Sequence, residues 1–158
     1  MAPVAMGRLS ENLQHSRKRG STDRANRKTN TMRITRKTLA RFAFLSSNSS
    51  YNADRKDEYR RLGRKILQEV ADRLGLVKAE YDIRWNPGGP GVSGDHILHT
   101  DRLYLALHDN ANMGSFYYRS CRWRSDYSGG QNHNVTWEWL KYAGVDGLVD
   151  RIRKDGLA

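Results

Sequence analysis

Tyr59-Arg-Arg-Leu62-Gly-Arg-Lys-Ile66-Leu67-Gln-Glu-Val70-Ala-Asp-Arg-Leu74-Gly75 runs into Leu76-Val-Lys-Ala-Glu-Tyr81-Asp-Ile83-Arg-Trp85, and the apolar period changes at the join. Up to Leu74 the apolar residues recur every three or four positions, the spacing of one helix face, with Leu67 widening the stripe. Gly75 stands where a left-handed C-terminal cap belongs. From Tyr81 onward the apolar residues alternate with Asp82 and Arg84, which is the period of a half-buried strand. A helix over about 54–74 that gives way to a strand sets the order of the whole domain.

Downstream the strand period persists. Asn86-Pro-Gly-Gly-Pro-Gly91 is turn chemistry. Residues 92–99 and 102–109 read as a hairpin with Thr100-Asp101 at its tip, and a fourth strand is expected over 115–124. Residues 125–134 read as a loop. Thr136 caps a helix carrying Trp137, Trp139, Leu140 and Tyr142 that stops at Gly144. Asp146 caps a last short helix with Leu148, Val149 and Ile152, ending before Gly156. Upstream, residues 46–53 read as a polar linker, and Thr35 caps a short helix with Leu39, Phe42 and Ala43 along one side. The sum is an α+β single domain: an antiparallel sheet of about four strands with helices packed on one face. Ile66, Val70, Leu103 and Leu105 are expected at its centre.

Residues 1–31 alternate basic residues with Ser, Thr, Asn and Gly and show no apolar period. Such a segment cannot offset its ordering entropy by burial, so a disordered basic arm is expected over 1–31 ahead of the domain at 32–158. Met32 is a second candidate start; six basic residues (Arg33, Arg36, Lys37, Arg41, Arg55, Lys56) would still precede Tyr59. Charge is concentrated in the same region. The first 41 residues carry eleven Lys or Arg against Glu11 and Asp23, while the remaining 117 carry 17 basic and 15 acidic side chains. A cationic arm on a near-neutral body points to a polyanionic partner, because clustered charge neutralises phosphates and releases their counterions.

The lone Cys121 excludes an intramolecular disulfide and a Cys-cluster metal site, and suits a reducing compartment. No apolar run reaches 18 residues, so no membrane-spanning helix is expected. The N-terminus lacks the apolar core of a secretory signal, although its Arg-rich, acid-poor composition is shared with mitochondrial transit peptides. A cytoplasmic setting is the expectation.

Asp95-His96-Ile-Leu-His99-Thr-Asp101, with His108 downstream, invites a metal site. Residues three apart on a strand face opposite ways, however, so His96 and His99 cannot share an ion there. With the tip at Thr100-Asp101, His99 and His108 share a face but lie roughly 20 Å apart along the strand. His96 falls with Leu98, Leu103, Leu105 and Leu107 on the buried face, as a core histidine. A cluster of His99, Asp101 and His133 is the arrangement that geometry leaves open for metal-dependent hydrolysis. Cys121 reads as a buried filler rather than a nucleophile, on one parity with Tyr117 and Trp123. Gly88-Gly-Pro-Gly91 lacks the Lys-Ser/Thr of a phosphate-binding loop.

The segment Tyr117-Tyr-Arg119-Ser-Cys-Arg122-Trp-Arg124-Ser-Asp-Tyr127 mixes arginine with aromatics, the composition of a surface that holds phosphate and stacks bases. Tyr118, Arg122 and Arg124 are expected to face outward together, and Arg119 to join them only through a bulge. The candidate nucleic-acid contacts are therefore Arg17, Lys18, Arg19, Arg24, Arg27 and Lys28 in the arm, Arg60, Arg61 and Arg64 on the helix, and Arg119, Arg122, Arg124 and Tyr127. No catalytic residue, cofactor or small-molecule substrate is expected. Zinc-finger spacing, the ribonucleoprotein aromatic motif and basic-zipper heptads are absent, so sequence-independent binding of DNA or RNA is the expectation. A protein partner is the alternative, since Arg-rich aromatic faces also make interface hot spots.

Gly94-Asp-His-Ile-Leu-His-Thr-Asp-Arg-Leu-Tyr104, together with residues 119–132, resembles small uncharacterised proteins of tailed bacteriophages and prophages. The resemblance spans about residues 32–134. It implies a phage or prophage origin, an intracellular setting and no particular activity.

Overall fold

A computed structural model describes residues 33–48, 52–87, 94–108, 115–126 and 128–157. The expected arm lies outside the described residues. Helix α1 spans Arg36–Asn48, α2 Ala53–Leu74 and α3 Trp137–Lys154; a short 3-10 turn occupies Lys78–Glu80. The strands are β1 (Asp82–Asn86), β2 (Asp95–His99), β3 (Leu103–Leu107), β4 (Ser115–Ser120) and β5 (His133–Thr136). They form one antiparallel meander in sequence order. The α+β domain read from the sequence is therefore the fold.

Local chemistry sets the helix ends. The Thr38 amide donates to Thr35 Oγ1, the Arg55 amide to Asn52 Oδ1 and the Trp139 amide to Thr136 Oγ1, each filling a donor left over in a first turn. Gly75 closes α2 at φ 80°. Gly144 breaks α3 at φ 73° into the two segments expected on either side of it.

All three helices lie on one face of the sheet. α2 packs on β1 and β2, α3 on β4 and β5, and α1 contacts both helices. The covered face carries the cross-strand row Ile83, Leu98, Leu105, Tyr118 and the row Trp85, His96, Leu107. Phe42 of α1 stacks on Tyr59 of α2 at 4.7 Å and meets Trp137 of α3 at 5.1 Å, so one ring joins the three helices. Ile66, Val70, Leu103 and Leu105 are all buried.

Three expectations are corrected. The hairpin turns at Asp101-Arg102 rather than Thr100-Asp101. The Thr100 amide donates to the Leu103 carbonyl, and its hydroxyl accepts from the amides of Arg102 and Leu103, which favours the later turn. His99 thus faces Tyr104 instead of Arg102, and Asp95 reaches His108 at 3.0 Å. Second, β4 ends at Ser120: the Cys121 amide still bonds the in-register Arg102 carbonyl, and the chain then turns, with the Arg122 amide donating to the Asp126 carboxylate and the Asp126 amide to the Trp123 carbonyl. In this register Tyr118 opposes Leu105 and turns under α3, donating to Asp155 at 2.5 Å. Tyr117 and Arg119 take the helix-free face, the reverse of the expected parity. Third, residues 133–136 form a fifth strand; with Val135 its one buried residue, it offers no alternation to read.

Candidate nucleic-acid interface

Five cationic residues gather where α2 runs along the edge strand β1. Arg60 and Arg64 are one turn apart on α2, about 6 Å along its axis, and Arg61 stands further round the helix, near enough to Glu58 to favour its carboxylate; all three are exposed. The Arg60 guanidinium lies 4.6 Å above the Trp85 ring, and the Lys78 ammonium 4.5 Å above the Tyr81 ring. Arg64 is close enough to Tyr81 to favour its phenolate, although burial and then Asp72 hold the phenol above its ordinary value. Arg84 extends from β1 on the other side and, after burial, is the next contributor lowering the His99 pKa. The ring faces position the cations without neutralising them.

Five of the described arginines elsewhere hold a carboxylate, among them Arg122 and Arg124 beyond β4. Arg33 and Arg73 hold Asp146, Arg41 holds Glu58, and Arg73 also holds Glu69. Among the described residues no carboxylate lies within ion-pair distance of Arg60, Arg61, Arg64 or Lys78. Arg60 and Arg64, one turn apart and so within a Debye length, about 10 Å at 0.1 M salt, add their potentials along the seam.

The Arg-rich segment after β4 is built differently. Arg119 is only 4% exposed, lies 4.5 Å from the Tyr104 ring and donates to the carbonyls of Gly129 and Asp126. It closes the 121–130 loop over the helix-free face. Asp126 organises that loop, accepting from the Arg122 side chain at 2.9 Å, the Arg122 amide, and both the amide and hydroxyl of Ser128. The Arg122 contact leads in holding the Asp126 carboxyl well below the usual carboxylate range. Arg124 spans three elements, bonding Asp101, the Ala79 carbonyl and, at 3.9 Å, Asp82. Arg122 and Arg124 are thus ion-paired at the surface, and Arg119 is a buried structural residue. The arm candidates Arg17, Lys18, Arg19, Arg24, Arg27 and Lys28, and Tyr127, lie outside the described residues.

His99, Asp101 and His133 do not converge. His99 lies on the helix-free face of β2, while His133 stacks on Tyr118 under the helices and contacts Asp155 at 3.2 Å. Among the described residues no group of three His, Cys, Asp or Glu side chains could hold a metal ion, and no helix is long and apolar enough to cross a membrane. Cys121 is buried and its thiol donates to the Thr100 carbonyl; burial raises its pKa, which disfavours a nucleophilic thiolate.

Lys78, Arg84 and Trp85 entered no list of sequence candidates. The alternation around Trp85 placed Arg84 on the face opposite the helices, but the stacking of Arg60 on Trp85 depends on how α2 crosses β1, which periodicity does not encode. No protein-family model, curated protein or solved structure matches the chain.

Proposed function

We propose that this protein is a non-enzymatic nucleic-acid-binding protein that grips phosphates without reading sequence. The observation that carries the reading is the α2–β1 seam, where Arg60, Arg64 and Lys78 stand exposed and, among the described residues, no carboxylate lies within ion-pair distance of them or of the neighbouring Arg61, whereas Arg33, Arg41, Arg73, Arg122 and Arg124 each hold one. The basic arm brings seven Lys or Arg against Glu11 and Asp23, and the seam fixes how the strand lies on the body. Desolvating an already neutralised pair would cost energy that binding must repay, whereas a hydrated, unpaired cation exchanges water and counterion for phosphate. An origin in a phage or prophage belongs to the same reading.

Replacing Arg60, Arg61 and Arg64 together by Glu tests it. Circular dichroism should be unchanged, since all three side chains are exposed. Affinity for a labelled duplex should fall, and the log–log salt slope should flatten by roughly 3. Unchanged affinity and slope would remove the seam from the interface.

A second reading, a module that binds a host or structural protein, is favoured by three exposed aromatics beside arginines: Phe44 with Arg41, Trp123 with Arg122 and Tyr142 with Arg36. Binding that survives high salt and nuclease treatment would support it over the first.

A further inference from the structure

The turn after β4 presents a tryptophan to solvent and fixes the residue beside it. Trp123 is 53% exposed, although an indole is the side chain that gains most from burial. Arg122 lies 4.5 Å from its ring, and that guanidinium is in turn held by the buried Asp126 carboxylate at 2.9 Å. The same carboxylate accepts from the Arg122 and Ser128 amides, and the Asp126 amide donates to the Trp123 carbonyl at 3.0 Å. Gly129 packs so closely on Asp126 that a side chain there would strike the carboxylate. The indole therefore has Arg122 against it on a turn fixed by Asp126, and over half of the residue stays open.

The platform adjoins the cationic seam. Arg124 donates to the Ala79 carbonyl at 3.0 Å, one residue from Lys78, and contacts Asp82 at the start of β1. A chain of phosphates lying along Arg60, Arg64 and Lys78 would reach the 121–126 turn next. Nucleobases in a duplex are stacked on one another and cannot meet a side-chain ring, whereas the bases of a single strand can.

We propose that Trp123 is a base-stacking site, and that the seam with its adjoining platform selects single-stranded over double-stranded nucleic acid. The proposal rests on the nucleic-acid reading and adds a ligand class to it. Arg122 polarises and supports the ring from one side while a flipped-out base covers the other. Arg124 holds the turn against β1.

The test uses the full chain and two variants, Trp123→Ala and Trp123→Phe, with fluorescence anisotropy of a labelled oligodeoxythymidine and of a duplex of equal length. Trp123→Ala should weaken single-strand binding roughly 5- to 150-fold, the range for losing one stacked base, while leaving duplex affinity and the salt slope unchanged. Trp123→Phe should retain most of the single-strand affinity. An equal loss on both ligands, or no loss on either, overturns the base-stacking site but leaves the phosphate-binding reading standing if the Arg60/Arg61/Arg64 variant still weakens both. Failure of the unmodified protein to bind either ligand at low salt overturns both readings. A co-purifying protein lost from Trp123→Ala, with oligonucleotide affinity unchanged, overturns the base-stacking site in favour of a protein interface.

Discussion

Gly63 and His96 occupy adjoining space that only this pairing fills. A β-carbon on Gly63 would lie about 2.5 Å from the His96 ring, which is buried between Tyr59 and Phe42. Gly63→Ala, ordinarily stabilising inside a helix, should here cost roughly 1–3 kcal/mol through overpacking, as read from denaturant midpoints. The ring has one hydrogen-bond partner: Nε2 lies 3.1 Å from the Arg60 carbonyl, while Nδ1 has none among the described residues. Burial pulls the imidazole pKa down from 6.5 to about 4, so the folded state keeps it neutral and the unfolded chain takes up the proton first. No cost exists above the unfolded value; stability drops as pH falls from about 6.5 towards 4, and the cost is complete below 4. That gap corresponds to about 3 kcal/mol. Urea unfolding at pH 7, 5.5 and 4 checks it: the pH dependence should be smaller in His96→Leu than in the unmodified protein. A small residual should remain from His99, which burial shifts in the same direction. That His96 is a core residue was legible, because it shares parity with Leu98 and opposes the leucines of β3. Its reliance on Gly63 was not, since that contact joins a helix and a strand 33 positions apart.

At the level of elements, legibility followed the strength of the period. α2 was readable within a residue because it has an apolar stripe over several turns and a left-handed glycine stop. The break at Gly144 was readable from a single residue, with a φ that other residues adopt at a cost. The end of β4 was not, because Tyr118 to Arg124 continues to look like a strand while the decisive group, Asp126, acts from beyond it. The hairpin tip was missed by one position, which moved every cross-strand partner by two but left the faces correct. The packing itself makes a direct prediction. Ile66 on α2 and Leu105 on β3 are fully buried on opposite sides of the helix–sheet boundary. Replacing either with Ala should cost about 2–5 kcal/mol in equilibrium denaturation, and near-neutral results at both would contradict the layered core. Thr136→Ala removes the cap of α3 and should cost about 1 kcal/mol, by the same measurement.

Across the whole molecule, composition separates folding from binding. The described body carries its own core and its own caps, whereas seven basic residues, Arg8, Arg17, Lys18, Arg19, Arg24, Arg27 and Lys28, precede it within residues 1–31. The charge asymmetry was fully legible in the sequence. The seam was legible only in part, because Arg60, Arg61 and Arg64 announce themselves as basic, whereas the lack of a carboxylate within ion-pair distance among the described residues is set by the fold. Pairing depends on which carboxylates the fold brings near, and Asp101, Asp126 and Asp146 neutralise other arginines instead. A chain starting at Met32 should keep its thermal midpoint to within a few degrees; a drop above about ten degrees, roughly 2 kcal/mol or more, would show that residues 1–31 contribute to the core. The central claim is phosphate binding by the arm and seam acting together. Its most direct measurement is the affinity of the full chain and of the Met32 chain for generic duplex and single-stranded nucleic acid across salt concentration. Six to ten phosphate contacts predict a linear log–log fall, losing roughly 10³–10⁵ in affinity between about 50 and 200 mM salt, and a clearly shallower slope once residues 1–31 are removed. Tight binding that ignores both salt and truncation, or no binding at low salt, would contradict it.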